Sequence, residues 1–304
     1  MKPGKIFRRP DFLVIGAQKA GTSWLHSVFS AHPEFWMPPA KELHYFDHKF
    51  PPKASDDKHP PGMEEQRRRM RAKRVRRLDA AKIWSLLVPP SATRIVWEFE
   101  YAFGKRTDEW YCNLFKPAGN RLTGDITPAY SRLDDGAVEY IHALLPDVRI
   151  IFLVRNPVER AWSHAVMDLV KHQGRRFEEV TDSQFIAHFE SRASRLRTGY
   201  IEIIDRWQRV CGKESLFVGF FDQIVEEPAD LINEICRFLG ATGGAEILPA
   251  GICQQRVNPG RGRQPTKECA AHLAGMYRTE IEELSRRFGR YPQLWLESLG
   301  KQEL

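Results

Sequence analysis

Along the chain, short runs of wholly apolar residues alternate with stretches whose apolar positions recur at helical spacing. Three such pairs stand out: Phe12–Ile15 then Thr22–Ala31, Ile150–Val154 then Val158–Val170, and Leu216–Phe221 then Ala229–Leu239. Runs that are apolar at every position suit strands buried on both faces, and the periodic stretches suit helices that cover them. The alternation predicts an α/β fold, with parallel strands joined by crossover helices into one sheet flanked by helices on both faces. In that architecture ligands gather at the carboxyl ends of the strands. Residues from about 50 to 119 break the rhythm with paired prolines and several tryptophans, and are read as a mostly helical insertion in a single domain spanning 1–304. Glu268–Arg287 predicts a closing helix stopped at Gly289.

Composition narrows the picture. A chain of 304 residues, 42% apolar and 11% aromatic, buries a large core without help from a disulfide or a metal. Its five cysteines, Cys112, Cys211, Cys236, Cys253 and Cys269, are odd in number and lack C-x-x-C spacing, so they read as reduced structural thiols. No apolar run approaches the ~18 residues of a membrane span, and the opening "MKPGKIFRRPDF" has no signal-peptide core. The expectation is a cytoplasmic protein. The formal charge of +7 is concentrated in Arg67–Arg77, "RRRMRAKRVRR", where eight of eleven residues are basic; without them the chain is close to neutral. That run is either a solvated helix or a docking surface for an anionic acceptor or membrane. Clustered arginines without interleaved aromatics argue against a specific nucleic-acid partner.

Three stretches carry candidate chemistry at strand ends. The first, "GAQKAGTSW", has the strand–loop–helix form of a phosphate-binding loop: the backbone of Gly21, Thr22 and Ser23 opens a helix whose N-terminus attracts an anion. Its lysine, Lys19, leaves from mid-loop instead of the first helical turn. The second, "RIIFLVRNPVERAWSHAVM", puts Arg155 at the end of a buried strand, Pro157 at a helix start, and Ser163 two turns on. A nucleotide triphosphatase would be expected to place a magnesium-binding aspartate there; an arginine fork suits a phosphate, and the bland alternative is an exposed Arg155 paired to Glu159. The third, "PPAKELHYFDH", carries Glu42, His44, Asp47 and His48. These read as a general base with supporters, as a weak metal pair, or as plain surface.

Taken together the chain resembles the PAPS-dependent sulfotransferase family, nearer its carbohydrate-modifying, heparan-sulfotransferase-like branch and its bacterial-type cytoplasmic members. The resemblance rests on "GAQKAGTSWL", "KELHYFD", "GDITPAY", "IIFLVRNPVERAWSHAV", "GYIEIIDRW", "FDQIVEEPADLINEICRFLG" and "GRGRQP", in that order across nearly the whole chain. It implies a P-loop-like parallel sheet and sulfuryl transfer from 3′-phosphoadenosine 5′-phosphosulfate (PAPS), leaving adenosine 3′,5′-bisphosphate, without a metal. The acceptor implied is a hydroxyl, less readily an amine, of a glycan, lipid or small molecule. By the same resemblance Lys19, Ala20, Gly21, Thr22, Ser23 and Trp24 hold the 5′-phosphosulfate, and Arg155 and Ser163 hold the 3′-phosphate. Tyr200 with the Arg261–Gly262–Arg263 turn closes over that phosphate, while Glu42 matches the catalytic base and His44 and Asp47 its polar supporters. Ile126 and Asp125 depart from the lysine and glutamate that heparan-acting members often carry before "PAY". A mid-loop lysine suits such a donor, which has a single 5′-phosphate to hold and a bridging oxygen that gains charge as the S–O bond breaks. Two other readings are an ATP-dependent kinase, with "LFVGFFD" ending in Asp222 as its magnesium strand, and a non-catalytic anion- or nucleic-acid-binding module on a degenerate loop.

Overall fold

The computed structural model describes residues 8–51, 92–255, 257 and 263–302. Its centre is a four-stranded parallel sheet in the order β2-β1-β3-β4, with β1 Phe12–Gly16, β2 Gly124–Ile126, β3 Arg149–Val154 and β4 Leu216–Phe220. Each apolar run singled out in the sequence is a strand, and "GDI" supplies the fourth. Leu13 pairs with Asp125 on one side and Ile150 on the other, so β1 is central and β2 lies at the sheet edge. Every residue of β1 is buried, as a central strand covered on both faces requires.

The helices that follow these strands are α1 Thr22–Ala31, α2 Pro157–Val166, α3 Tyr200–Cys211, α4 Pro228–Leu239 and α5 Lys267–Phe288. Successive residues of β3 point to opposite faces. Phe152 meets Tyr200 of α3 edge-on at 5.6 Å. Leu153 lies on the other face, where it and Leu231 of α4 both crowd the Cα of Gly219. Helices therefore cover both faces of the sheet. The helical pattern over Val158–Val170 resolves into α2 and a π-turn, Met167–His172. The closing helix α5 ends at Gly289, whose φ of 65° suits a C-terminal cap.

The described part of the insertion is helical, with Ala92–Phe103 and Asp108–Asn113. Trp97 is buried and donates its indole N–H to the Leu114 carbonyl, whereas Ile95, Val96, Phe99 and Phe103 stay exposed. The basic run Arg67–Arg77 lies outside the described residues, as do Arg261 and Gly262. All five cysteines are buried free thiols. Among the described residues no helix is long and apolar enough to cross a membrane.

Candidate active site

The carboxyl end of β1 runs into the loop Ala17–Ala20 and then α1. Gly21 is the N-cap with φ 91°, no side chain caps the helix, and its first turn holds no acidic residue. The leading N–H groups of α1 are thus left for an anion. Lys19 has φ 77°, a left-handed conformation that is uncommon for a non-glycine residue and costs about 1 kcal/mol or more. Burial pulls its ammonium below the ordinary lysine range, and the charges of Arg155 and Lys171 add to that, opposed by Asp168.

Arg155 leaves the end of β3 beside this loop. Its Nη1 donates to the Lys19 carbonyl at 3.4 Å, its guanidinium lies 4.5 Å over Phe221, and Nη2 meets Glu159 at 2.6 Å. The Glu159 pairing weighed from the sequence is therefore real, and it coexists with a position next to Lys19. Ser163 is half-buried on α2. Trp24 is buried, its indole N–H donating to the Cys253 carbonyl at 2.8 Å, so its ring anchors the start of the loop that leads to α5.

Tyr200 and Arg263, both expected to close over the 3′-phosphate, differ in setting. Tyr200 is wholly buried against Phe152, and its hydroxyl has no hydrogen-bond partner among the described residues. The Arg155 backbone acts on its phenol, which places Tyr200 beside the strand end that carries Arg155. Arg263 pairs its guanidinium with Glu178 at 2.5 Å and lies over Phe177. Only its carbonyl touches α2, accepting from the Trp162 indole at 2.7 Å, one residue before Ser163.

The third motif forms a turn alongside α1, where the Lys41 charge and the Pro38 backbone act on His26 of that helix. Glu42 and His44 have φ values of 63° and 53°. With Lys19, three proposed site residues occupy left-handed backbone, a concentration of strain typical of functional sites. His44 Nδ1 meets Asp47 Oδ2 at 2.8 Å, His44 Nε2 lies 3.4 Å from Glu42 Oε2, and Lys41 pairs with Glu42 Oε1 at 2.8 Å. The turn thus brings Glu42, His44 and Asp47 together as the sequence reading requires. His48 stacks on His44 with centroids 5.6 Å apart, and both ring nitrogens of His44 face carboxylates.

The acid–base balance differs from the expectation that burial raises Glu42 toward neutrality. Burial does push its carboxyl up, but His44 and Lys41 outweigh it and hold Glu42 at about 2. For His44, burial opposes the charge, yet Asp47 and Glu42 lift it to about 10. The two carboxylates that His44 touches thus favour its protonated form.

Sequence reasoning missed several neighbours. Lys41 stood next to Glu42 in the motif. Asp168, five residues after Ser163, is brought close by the π-turn. His164 Nε2 and His188 Nε2 each lie 3.2 Å from Asp168 Oδ2, and His172 Nδ1 lies 3.1 Å from Oδ1. The ligand atoms of His164, Asp168 and His188 are spaced closely enough for a metal ion. A metal on both Nε2 atoms would leave two Nδ1–H donors to satisfy, and both Nδ1 atoms are buried without partners. Burial and the charges of Arg197 and Arg160 also disfavour positive charge at His164, so the group suits a hydrogen-bonded cluster better than a cation site.

A model of the sulfotransferase family matches residues 10–242. The chain belongs to the sulfotransferase family. Heparan sulfate glucosamine 3-O-sulfotransferase 6 of Homo sapiens is 29% identical over 134 residues, and that of Mus musculus 28%, in each case 43% of this chain and 39% of the relative. The alignment thus spans well under half the length of these curated relatives. Among solved structures, a sulfotransferase from Alicyclobacillus acidocaldarius superimposes with a TM-score of 0.60 at 21% identity, covering 94% of this chain and 98% of that one. The sulfotransferase domain from the curacin biosynthetic pathway gives 0.50 at 15%, covering 79% and 76%. These likenesses establish the family's α/β fold. Asp222, the residue a kinase reading needs at a strand end, lies in the helix Phe221–Glu226 and accepts the Trp295 indole N–H at 3.0 Å, so it is turned to a structural task.

Proposed function

We propose that this sulfotransferase-family chain transfers the sulfuryl group of PAPS to an acceptor hydroxyl. The observation that carries the reading is the convergence, at the carboxyl ends of the neighbouring strands β1 and β3, of a desolvated mid-loop lysine, an uncapped helix start and the Arg155 guanidinium. Lys19 and the leading amides of α1 would hold the 5′-phosphosulfate, and Arg155 with Ser163 the 3′-phosphate. As the sulfur–oxygen bond to the leaving phosphate breaks, Lys19 stabilises the charge that grows on the bridging oxygen. The acceptor oxygen forms the new bond to sulfur, and its proton passes to Glu42 in the Glu42–His44–Asp47 group. No metal is needed, because the cations come from Lys19 and Arg155. The human relative's name supplies a sugar hydroxyl as the first acceptor class to assay; lipid and small-molecule hydroxyls follow.

Calorimetry in EDTA tests the donor assignment. Adenosine 3′,5′-bisphosphate should bind far more tightly than AMP or ATP, and Lys19→Ala should weaken its binding and cut turnover by about 100-fold or more, the scale of losing one preorganised charge-stabilising group. Equal affinity for AMP, or binding that EDTA abolishes, overturns the reading.

A further inference from the structure

The turn that carries Glu42 and His44 is strained at both residues, so something outside it must fix its shape. The buried edge strand β2 supplies a candidate. Asp125 is 1% exposed, and its Oδ2 accepts the Tyr130 hydroxyl at 2.6 Å. Tyr130 in turn accepts the Tyr45 backbone N–H at 3.0 Å, immediately after His44. A phenol has one proton. By taking it, Asp125 points a lone pair of Tyr130 at the Tyr45 amide and fixes the direction of that hydrogen bond. Thr127 donates to the other carboxylate oxygen at 2.7 Å, and Tyr111 donates to Oδ2 at 3.2 Å while its ring stacks on Tyr45 at 4.7 Å. Burial pushes the Asp125 carboxyl up, against the Tyr130 and Thr127 hydroxyls, the His44 imidazole and the Leu43 amide. The carboxyl therefore reaches the residue after His44 through Tyr130.

We propose that Asp125, through Tyr130, is a positioning residue that holds the Glu42–His44 turn in its left-handed conformation. The inference rests on the catalytic reading of that turn and gives a role to a position where the sequence departs from the carbohydrate-branch pattern. Neither Asp125 nor Tyr130 touches the reacting atoms in this scheme. Both act by placing the Tyr45 amide, and hence His44, relative to Glu42 and Asp47.

The test compares Tyr130→Phe, Asp125→Asn and Tyr111→Phe in the full chain. Tyr111→Phe removes a phenol hydrogen bond to the same carboxylate oxygen but leaves the Tyr45 amide untouched. Tyr130→Phe should lower kcat by about 10-fold or more with donor KM and adenosine 3′,5′-bisphosphate Kd within about 2-fold, whereas Tyr111→Phe should stay within about 2-fold in all three. Asp125→Asn combined with Tyr130→Phe should be little worse than the poorer single variant, because both act through one contact. Independently of any substrate, the imidazole NMR resonances of His44 should move in Tyr130→Phe and stay in Tyr111→Phe. If the two phenylalanine variants behave alike, or if Tyr130→Phe loses donor binding in step with turnover, the assignment is overturned. A wild type that sulfates no hydroxyl would overturn the proposed function instead, while the His44 resonances in Tyr130→Phe, Asp125→Asn and Tyr111→Phe would still judge the Asp125–Tyr130 contact.

Discussion

His44 is the residue on which the local chemistry turns, and its ionisation makes a testable link to stability. Its folded value is raised to about 10 by the two carboxylates. Its contribution is therefore full below the unfolded value near ~6.5 and is lost as pH rises to about 10. Glu42, lowered to about 2, behaves oppositely: its contribution is full above ~4.3 and is lost as pH falls from there to about 2. The melting temperature of the wild type should decline between about pH 6.5 and 10, and His44→Gln should flatten that decline. Parallel curves for the two proteins would show that the ion pair adds nothing to stability.

Among the elements, the β1–α1 junction is tightly specified at Gly21. A Cβ on Gly21 would sit 2.3 Å from Ile224 Cδ1, and φ 91° is strained for any other residue. Side-chain motion can relieve the first problem but not the second. Gly21→Ala should lower stability by about 1–2 kcal/mol, the cost of a left-handed L-residue, and should also weaken adenosine 3′,5′-bisphosphate binding by tilting the leading amides of α1. Chemical denaturation and calorimetry on the same variant check both. An alanine variant with wild-type stability and affinity would mean that the loop does not depend on this geometry. Trp24 serves the same junction from the helix side, tying α1 to Cys253.

At the scale of the whole molecule, the charge is uneven. Eight of the 46 Lys and Arg residues lie within Arg67–Arg77, and the other 38 nearly balance 39 Asp and Glu. Like charges four residues apart on a helix repel, so such a run needs solvent screening or an anionic partner. If it guides an acidic acceptor or an anionic membrane, changing Arg68, Arg71 and Arg74 to glutamine should raise the acceptor KM at low salt and flatten its salt dependence. Donor affinity should not change, since the donor contacts are assigned elsewhere. Acceptor KM measured across salt, with and without anionic vesicles, decides it; superimposable curves leave the run as solvated surface.

Much of this architecture was legible in sequence because burial writes itself locally. The runs at Phe12, Ile150 and Leu216 are strands because apolar residues on both faces have no other low-energy setting, and Gly21 marks the left-handed cap that starts α1. The trio Glu42, His44 and Asp47 was also visible, since its members lie within six residues of one another. Tertiary structure decided what depends on distant neighbours. Tyr200 is core because α3 packs on Phe152, and Arg263 faces Glu178 because that carboxylate happens to be folded beside it. Asp125, 83 residues after Glu42 in the chain, reaches the turn only because β2 pairs with β1. The direction of the Glu42 shift followed the same rule. Burial, which composition can anticipate, raises it, but charges placed by the fold at hydrogen-bond distance prevail, because Coulomb energy depends on separations that the sequence alone does not set.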